Sequence, residues 1–261
     1  MTTATTTTTT GHHGFGATLG RLLDHRGLGA GDTAGRAGVT EDEFRAVLSG
    51  ETPGDALLRR LGPALGFHAV DLFVLAGQPV PDDLAPLDAE AASSVTSMVT
   101  DTARLPEAQR KEVLDLARAL PQEERRAAFA PKLHAPLVDA PGGWVVRMFL
   151  HRNLDWRGIA HALAYVTPTY LSPPTYGVIG AGGKELTPHL VTDCAAVLGI
   201  DALELAVMTG VVLDRPPTPP SPEARDTAAL VWEARRLSAG QVHHLSEAAR
   251  MLREDHQDGE R

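Results

Sequence analysis

The stretch AGDTAGRAGVTEDEFRAVL, residues 30–48, decides the fold of the first part of this 261-residue chain. A short helix is predicted over 30–37, and Gly38 then supplies a tight turn, because glycine adopts left-handed backbone angles without a steric penalty. Thr40 is a typical N-cap residue for a second helix over 41–48. The stretch therefore predicts a helix-turn-helix.

The sequence around this stretch resembles a known family. Apolar spacing over residues 15–78 predicts about five helices. The ordered small, apolar and turn residues are similar to those of the lambda-repressor-like helix-turn-helix family, xenobiotic-response-element type. They are Gly31, Ala34, Gly38, Val39, Thr40, Phe44, Val47, Gly50, Pro53, Leu57 and the bend Ala64-Leu65-Gly66. The resemblance implies a five-helix domain whose third helix enters the DNA major groove. The whole chain also resembles actinomycete regulators that carry two copies.

The chain repeats itself over a long distance. Residues 21–28 match residues 147–154 at Arg, His, Arg and Leu, and residues 64–72 match residues 197–205 around a shared Leu-Gly step. Between these two blocks the second copy is longer than the first. A repeat of this size predicts that one supersecondary unit is built twice.

A pair of amphipathic helices is predicted after each helix-turn-helix copy. Residues 98–120 match residues 230–252, with apolar residues at helical spacing in both. Pro106 and Ser238 mark the start of the second arm in each pair. The predicted fold is therefore all-α, a tandem duplicated unit of a five-helix helix-turn-helix domain plus an αα-hairpin.

Proline-rich and polar stretches set the domain boundaries. The predicted segments are a disordered Thr-rich tail at 1–14, helix-turn-helix domain 1 at 15–78, a linker and hairpin at 79–127, a linker at 128–143, helix-turn-helix-like domain 2 at 144–212, a Pro-rich linker at 213–222, a second hairpin at 223–255 and a disordered tail at 256–261. In domain 2, residues 165–170 either lengthen the turn before the third helix or extend the second helix.

Composition agrees with an all-α protein of a reducing compartment. Aromatic residues make up only 5% of the chain, which suits close helix packing better than β-sheets. The single cysteine, Cys194, excludes an internal disulfide and fits a small core residue. No window is apolar enough to span a bilayer and no signal peptide is evident, so a cytoplasmic protein is expected.

Enzymatic, cofactor and metal sites are not expected. The glycine-rich run 178–184 lacks key positions of nucleotide-binding loops, and the repeat aligns it with the turn after the third helix. His243 and His244 are adjacent on a predicted helix, so their rings diverge and cannot share one metal ion. Because no catalytic arrangement recurs in both copies, the chain is predicted not to be an enzyme.

The resemblance places DNA contacts on and around the third helix of each copy. The candidate DNA-binding residues are Arg21, Arg26, Arg36, Thr40, Glu41, Asp42 and Arg45 in copy 1, with Arg157, Thr175 and Lys184 in copy 2. Acidic side chains can accept hydrogen bonds from cytosine amino groups. The formal net charge of −9 requires any DNA surface to be local, because phosphate affinity comes from Lys and Arg.

These features predict a sequence-specific transcriptional regulator that binds double-stranded DNA. Domain 1 is the main reader, and whether domain 2 also reads DNA is open. Either one chain mimics a repressor dimer, or two chains form a homodimer through the hairpins. The alternative function is a protein-interaction module whose degenerate helix-turn-helix domains no longer bind DNA. A third is a regulator that senses a ligand between its domains.

Overall fold

The computed structural model describes residues 14–133 and 135–259, and within these ranges the chain is all-α. Fourteen α-helices and one short 3₁₀ helix account for its regular structure, and no β-strand occurs in the described ranges. None of the described helices is long and apolar enough to cross a membrane. The predicted fold class is confirmed, whereas the duplication itself stays a prediction.

Unit 1 is the region predicted as helix-turn-helix domain 1, and unit 2 is the region predicted as domain 2. Unit 1 contains five short helices, as predicted. They are α1 (Phe15–Arg26), α2 (Ala30–Ala37), α3 (Glu41–Leu48), α4 (Asp55–Ala64) and α5 (Ala69–Leu75). Hairpin 1 follows, with a 3₁₀ turn at Ala89–Ala91, then α6 (Ala92–Thr102) and α7 (Glu107–Ala119). The second arm begins directly after Pro106, in agreement with the sequence prediction.

Unit 2 also contains five helices and is followed by two more. The five are α8 (Pro141–Leu150), α9 (Trp156–Val166), α10 (Pro173–Gly180), α11 (Pro188–Leu198) and α12 (Ala202–Thr209). Hairpin 2 consists of α13 (Pro222–Ala234) and α14 (Ala239–Gly259). The oxygen of Ser221 accepts a hydrogen bond from Ala224 N, and Pro222 occupies the first turn of α13, so this helix begins where its cap and proline favour it.

The insertion in unit 2 is divided between a longer helix and a longer turn. The second helix, α9, has 11 residues against 8 in α2. Residues 167–172 then connect α9 to α10, whereas residues 38–40 suffice between α2 and α3. Both sequence interpretations of residues 165–170 are therefore partly correct.

The four helices of hairpins 1 and 2 pack mainly across the two pairs and hardly within each pair, so the predicted packing of each pair as an αα-hairpin is wrong. Helix α6 lies against α14 and α7 lies against α13, while α6 and α13 also contact α9 of unit 2. The apolar side chains between them are buried, including Met98 and Val231. These apolar faces are therefore covered inside a single chain, whereas a homodimer through the hairpins stays a prediction.

The predicted tails fall mostly outside the described residues. Residues 1–13 and 260–261 are not described, and Gly14 is the N-cap residue of α1. Helix α14 continues to Gly259, so the expectation of disorder from residue 256 is wrong for residues 256–259. These residues extend the second arm of hairpin 2.

Candidate nucleic-acid interface

The turn between α2 and α3 is built by glycine and by backbone hydrogen bonds. Gly38 has φ +64°, and its N–H donates to the carbonyls of Ala34 and Gly35. Val39 N also donates to Ala34 O at 3.1 Å, so the last carbonyls of α2 are satisfied. Arg60 of α4 donates to Gly38 O at 2.8 Å and fixes the turn from outside.

Helix α3 begins and packs as the sequence predicts. Thr40 Oγ1 accepts a hydrogen bond from Glu43 N at 3.2 Å, which caps the helix. Phe44 and Val47 are buried against the core of unit 1. The opposite face carries four exposed charged side chains, namely Glu41, Asp42, Glu43 and Arg45.

Helix α1 holds α3 at very short range through a glycine. A Cβ atom added at Gly16 would lie 2.2 Å from Val47 O, so only glycine permits this approach. Unit 2 repeats the arrangement, because a Cβ atom at Gly142 of α8 would lie 2.4 Å from Ile179 O of α10. By this contact α10 occupies the place in unit 2 that α3 occupies in unit 1.

The first turn of α3 is acidic. Three consecutive acids stand at the start of α3, where they also favour the positive end of the helix dipole. Arg45 pairs with Glu41 at 2.6 Å, and both side chains are largely exposed. Arg36 is exposed at the end of α2. Since an exposed ion pair contributes roughly 0–1 kcal/mol, Arg45 is readily released to bind a phosphate or a base.

Two predicted DNA-binding residues lie instead between the two units. Arg21 Nε donates to Val207 O at 3.3 Å, at the end of α12. Arg26 forms an ion pair with Glu204 at 2.6 Å and also donates to Leu65 O at 2.7 Å. Both guanidinium groups therefore link unit 1 to unit 2, and the DNA role expected for Arg21 and Arg26 stays a prediction.

Unit 2 presents a different third helix. Helix α10 carries no charged residue, and Thr175 Oγ1 shares a hydrogen bond of 3.0 Å with Ser172 Oγ. Val178 is exposed on α10, and Tyr170 in the preceding turn is 86% exposed. Two exposed basic residues lie on either side of α10 in the sequence. They are Arg157, near the start of α9, and Lys184, in the turn after α10.

The sequence interpretation missed a buried polar cluster, which lies where the units meet hairpin 2. Arg152 and Asp71 form a buried ion pair with contacts of 2.8 and 3.0 Å. His68 stacks on Trp232 of α13, with ring centroids 3.3 Å apart. Arg235 lies 3.8 Å from the centroid of the same tryptophan ring. The recurrence of Arg26 as Arg152 and of Asp71 as Glu204 was the available signal.

Burial keeps the histidines of this cluster neutral. Desolvation lowers the pKa of His68 to about 4, and the nearby Arg152 charge lowers it further. Desolvation likewise lowers the pKa of His151 to about 4. His151 Nδ1 is a buried atom without a hydrogen-bond partner in the described part of the chain. Protonation of either ring would place a cation beside Arg152 and Arg235.

Comparison of the chain with protein-family models, with curated proteins and with solved structures found no match.

Within the described residues, no group of three or more His, Cys, Asp or Glu side chains is placed to hold a metal ion. The run 178–184 begins within α10 and continues into the turn after it, and Gly182 has φ +76°.

Proposed function

We propose that the protein is a sequence-specific, DNA-binding transcriptional regulator of the lambda-repressor-like type. The observation that carries the proposal is the capped helix α3, which is joined to α2 by the glycine turn and projects four charged side chains away from unit 1. In this architecture the N-terminal part of the third helix contacts base edges while neighbouring groups hold phosphates. The proposed regulator acts in the cytoplasm.

The exposed side chains of unit 1 divide into two roles. Arg36 and Arg45 are the phosphate or guanine contacts, because arginine donates to both. Thr40 and Asp42 lie at the end of α3 that approaches the bases, and Asp42 can accept a hydrogen bond from a cytosine amino group. Glu41 forms an ion pair with Arg45 in the free protein, and this pair breaks when Arg45 binds DNA.

The charge of this surface sets a limit on the mode of binding. Affinity for random DNA scales with the number of phosphates that Lys and Arg neutralise. With exposed Arg36, Arg45 and Arg60 beside three consecutive acids, we expect weak binding to random duplexes and a shallow dependence on salt concentration. Specific binding would then depend mainly on contacts to base edges.

Selection from a random duplex library at low salt tests the proposal. The full chain should enrich a defined sequence, and fluorescence anisotropy should show salt-sensitive binding to it. Arg45→Ala should weaken binding by about tenfold, because one good contact to guanine contributes about 1–3 kcal/mol. Arg250→Ala is the matched control, since Arg250 is an exposed arginine of α14 that also pairs with a glutamate four residues away. Failure to enrich any sequence would contradict the proposal.

A protein-interaction module is the second candidate, and the acidic start of α3 favours it. Glu41, Asp42 and Glu43 repel phosphates but suit a basic partner surface. The uncharged helix α10 with exposed Val178 suits an apolar partner. Under this candidate, replacing the three acids by their amides should abolish partner binding in cross-linking experiments from the source cells, and no duplex should be enriched.

A further inference from the structure

Contacts between unit 1 and unit 2 occur in matched pairs. The first helix of unit 1, α1, packs on the fifth helix of unit 2, α12. The first helix of unit 2, α8, packs on the fifth helix of unit 1, α5. Reciprocal contacts of this kind characterise an isologous interface, in which a two-fold axis relates the partners.

The polar contacts of this interface are also matched. Arg26 pairs with Glu204 of the other unit and donates to Leu65 O of its own unit. Arg152 pairs with Asp71 of the other unit and donates to Leu198 O of its own unit at 2.9 Å. These two contacts of Arg26 thus have counterparts at Arg152, at equivalent positions of the sequence repeat.

The third helices obey the same relation. Gly16 brings α1 onto the carbonyl of Val47 in α3, and Gly142 brings α8 onto the carbonyl of Ile179 in α10. A two-fold relation between the units therefore also relates α3 to α10. The side chains of these helices differ, since α3 has four exposed charged residues whereas α10 has no charged residue and presents exposed Val178 and partly exposed Thr175.

We infer that this chain is a fused dimer that binds, as a monomer, a DNA site made of two unequal half-sites in inverted orientation. The inference rests on the proposed function. Unit 1 reads its half-site through α3 with hydrogen-bonding side chains. Unit 2 reads the other half-site through α10, where Val178 and the methyl group of Thr175 suit thymine methyl groups, and Arg157 and Lys184 supply phosphate contacts.

Two features of the fold make a second chain unnecessary. The α1–α12 and α5–α8 contacts occupy the surfaces through which the units pair. Hairpins 1 and 2 cover each other's apolar faces within the same chain. A homodimer presents two identical recognition helices and so favours a palindromic site, whereas the two units of a fused dimer can differ in sequence preference.

The experiment uses the full chain and the duplexes it enriches from a random library. The expected sequence contains two different half-sites in inverted order, about 10 base pairs apart or a multiple of that spacing. Mass photometry should show one chain per duplex. Val178→Asp should weaken binding to the complete site by about tenfold and remove nuclease protection from the second half-site alone. Val212→Asp is the control, because Val212 is an exposed valine outside α10.

The outcomes separate this inference from the function on which it rests. Enrichment of a single half-site, or of a symmetric site that holds two chains, would overturn the fused-dimer inference but leave DNA binding intact. Unchanged protection by Val178→Asp would exclude α10 as the second reader and so overturn the inference as well. If no duplex is enriched, both the inference and the proposed function fail. Circular dichroism should confirm that both aspartate variants remain folded.

Discussion

Arg152 and Asp71 form a bidentate ion pair across the junction of the two units, and neither side chain is more than 1% exposed. The guanidinium also donates to the carbonyls of Met148 and Leu198. Removing one partner of a buried pair is costly because the other charge stays buried without compensation. This pair, together with the Arg26–Glu204 pair, fixes how the two helix-turn-helix units face each other.

The two matched ion pairs should differ in their effect on stability. Arg152→Met should lower the free energy of unfolding by about 3–5 kcal/mol, because Asp71 is left buried and charged. Arg26→Met should cost only about 1–2 kcal/mol, because water reaches the Arg26–Glu204 pair. Urea unfolding followed by circular dichroism measures both. Equal losses would contradict the difference in burial on which the comparison depends.

Stability should decrease as the pH falls from about 6.5 towards 4. The pKa of His68 and His151 is about 4 in the folded protein and near 6.5 in the unfolded chain, so the unfolded chain binds more protons in this window. Well above pH 6.5 both histidine rings are neutral in the folded and in the unfolded chain, so this loss of stability no longer occurs. His151→Gln should flatten the fall in Tm between pH 6.5 and 4.

The repeat supplies the control for this pH measurement. His25 is the counterpart of His151 in copy 1, and it is exposed on α1. His25→Gln is the matched control, because it removes an exposed histidine whereas His151→Gln removes a buried one. A flattening of similar size in both variants would show that burial of His151 is not the cause.

Two glycines in α1 should respond in opposite ways to substitution by alanine. Gly16→Ala should destabilise the protein by about 1–3 kcal/mol, because the new methyl group collides with Val47 O. Gly20→Ala should stabilise it by roughly 0.5–1 kcal/mol, since nothing lies within 4 Å of the added Cβ and alanine favours helix. Thermal unfolding distinguishes the two. A stabilising Gly16→Ala would contradict the close approach of α1 and α3.

Removing one acid from α3 should strengthen DNA binding. Glu43→Gln eliminates a charge that faces away from the core, and we expect affinity for a random duplex to rise by about fivefold at low salt. Glu107→Gln is the control, because Glu107 is exposed in the first turn of α7. Anisotropy titrations give both affinities. A rise of the same size in the control would point to overall charge rather than to α3.

The local structure of this protein could be predicted from its sequence because it depends on residues that are close together in the chain. The bounds of α2 and α3 follow from Gly38 and Thr40, whose effects on backbone angles and capping act within a few residues. The hairpin arms follow from apolar spacing, which identifies a buried face but not the element that covers it. For that reason the sequence left open whether the hairpins pack within one chain or join two chains.

Capping residues and apolar spacing could not predict the contacts between the two units. Arg21 and Arg26 look like surface arginines beside a recognition helix, and only the tertiary arrangement brings them to α12 and to Glu204. The necessary signal was the joint recurrence of Arg26 as Arg152 and of Asp71 as Glu204, a pattern that two matched ion pairs explain. A repeated charge in both copies is thus better interpreted as an interface residue than as a solvent-exposed one.

Affinity cleavage from a label at the end of α3 tests the central claim most directly. The only native cysteine, Cys194, is buried, and burial raises the pKa of its thiol, so it stays protonated and unreactive. Glu51→Cys therefore provides a single exposed attachment point just after α3 for an iron chelate. The account predicts DNA strand cleavage confined to one half-site of the enriched duplex, with none from the same label at Glu107→Cys on α7. Absence of cleavage near α3, or equal cleavage from both positions, would contradict it.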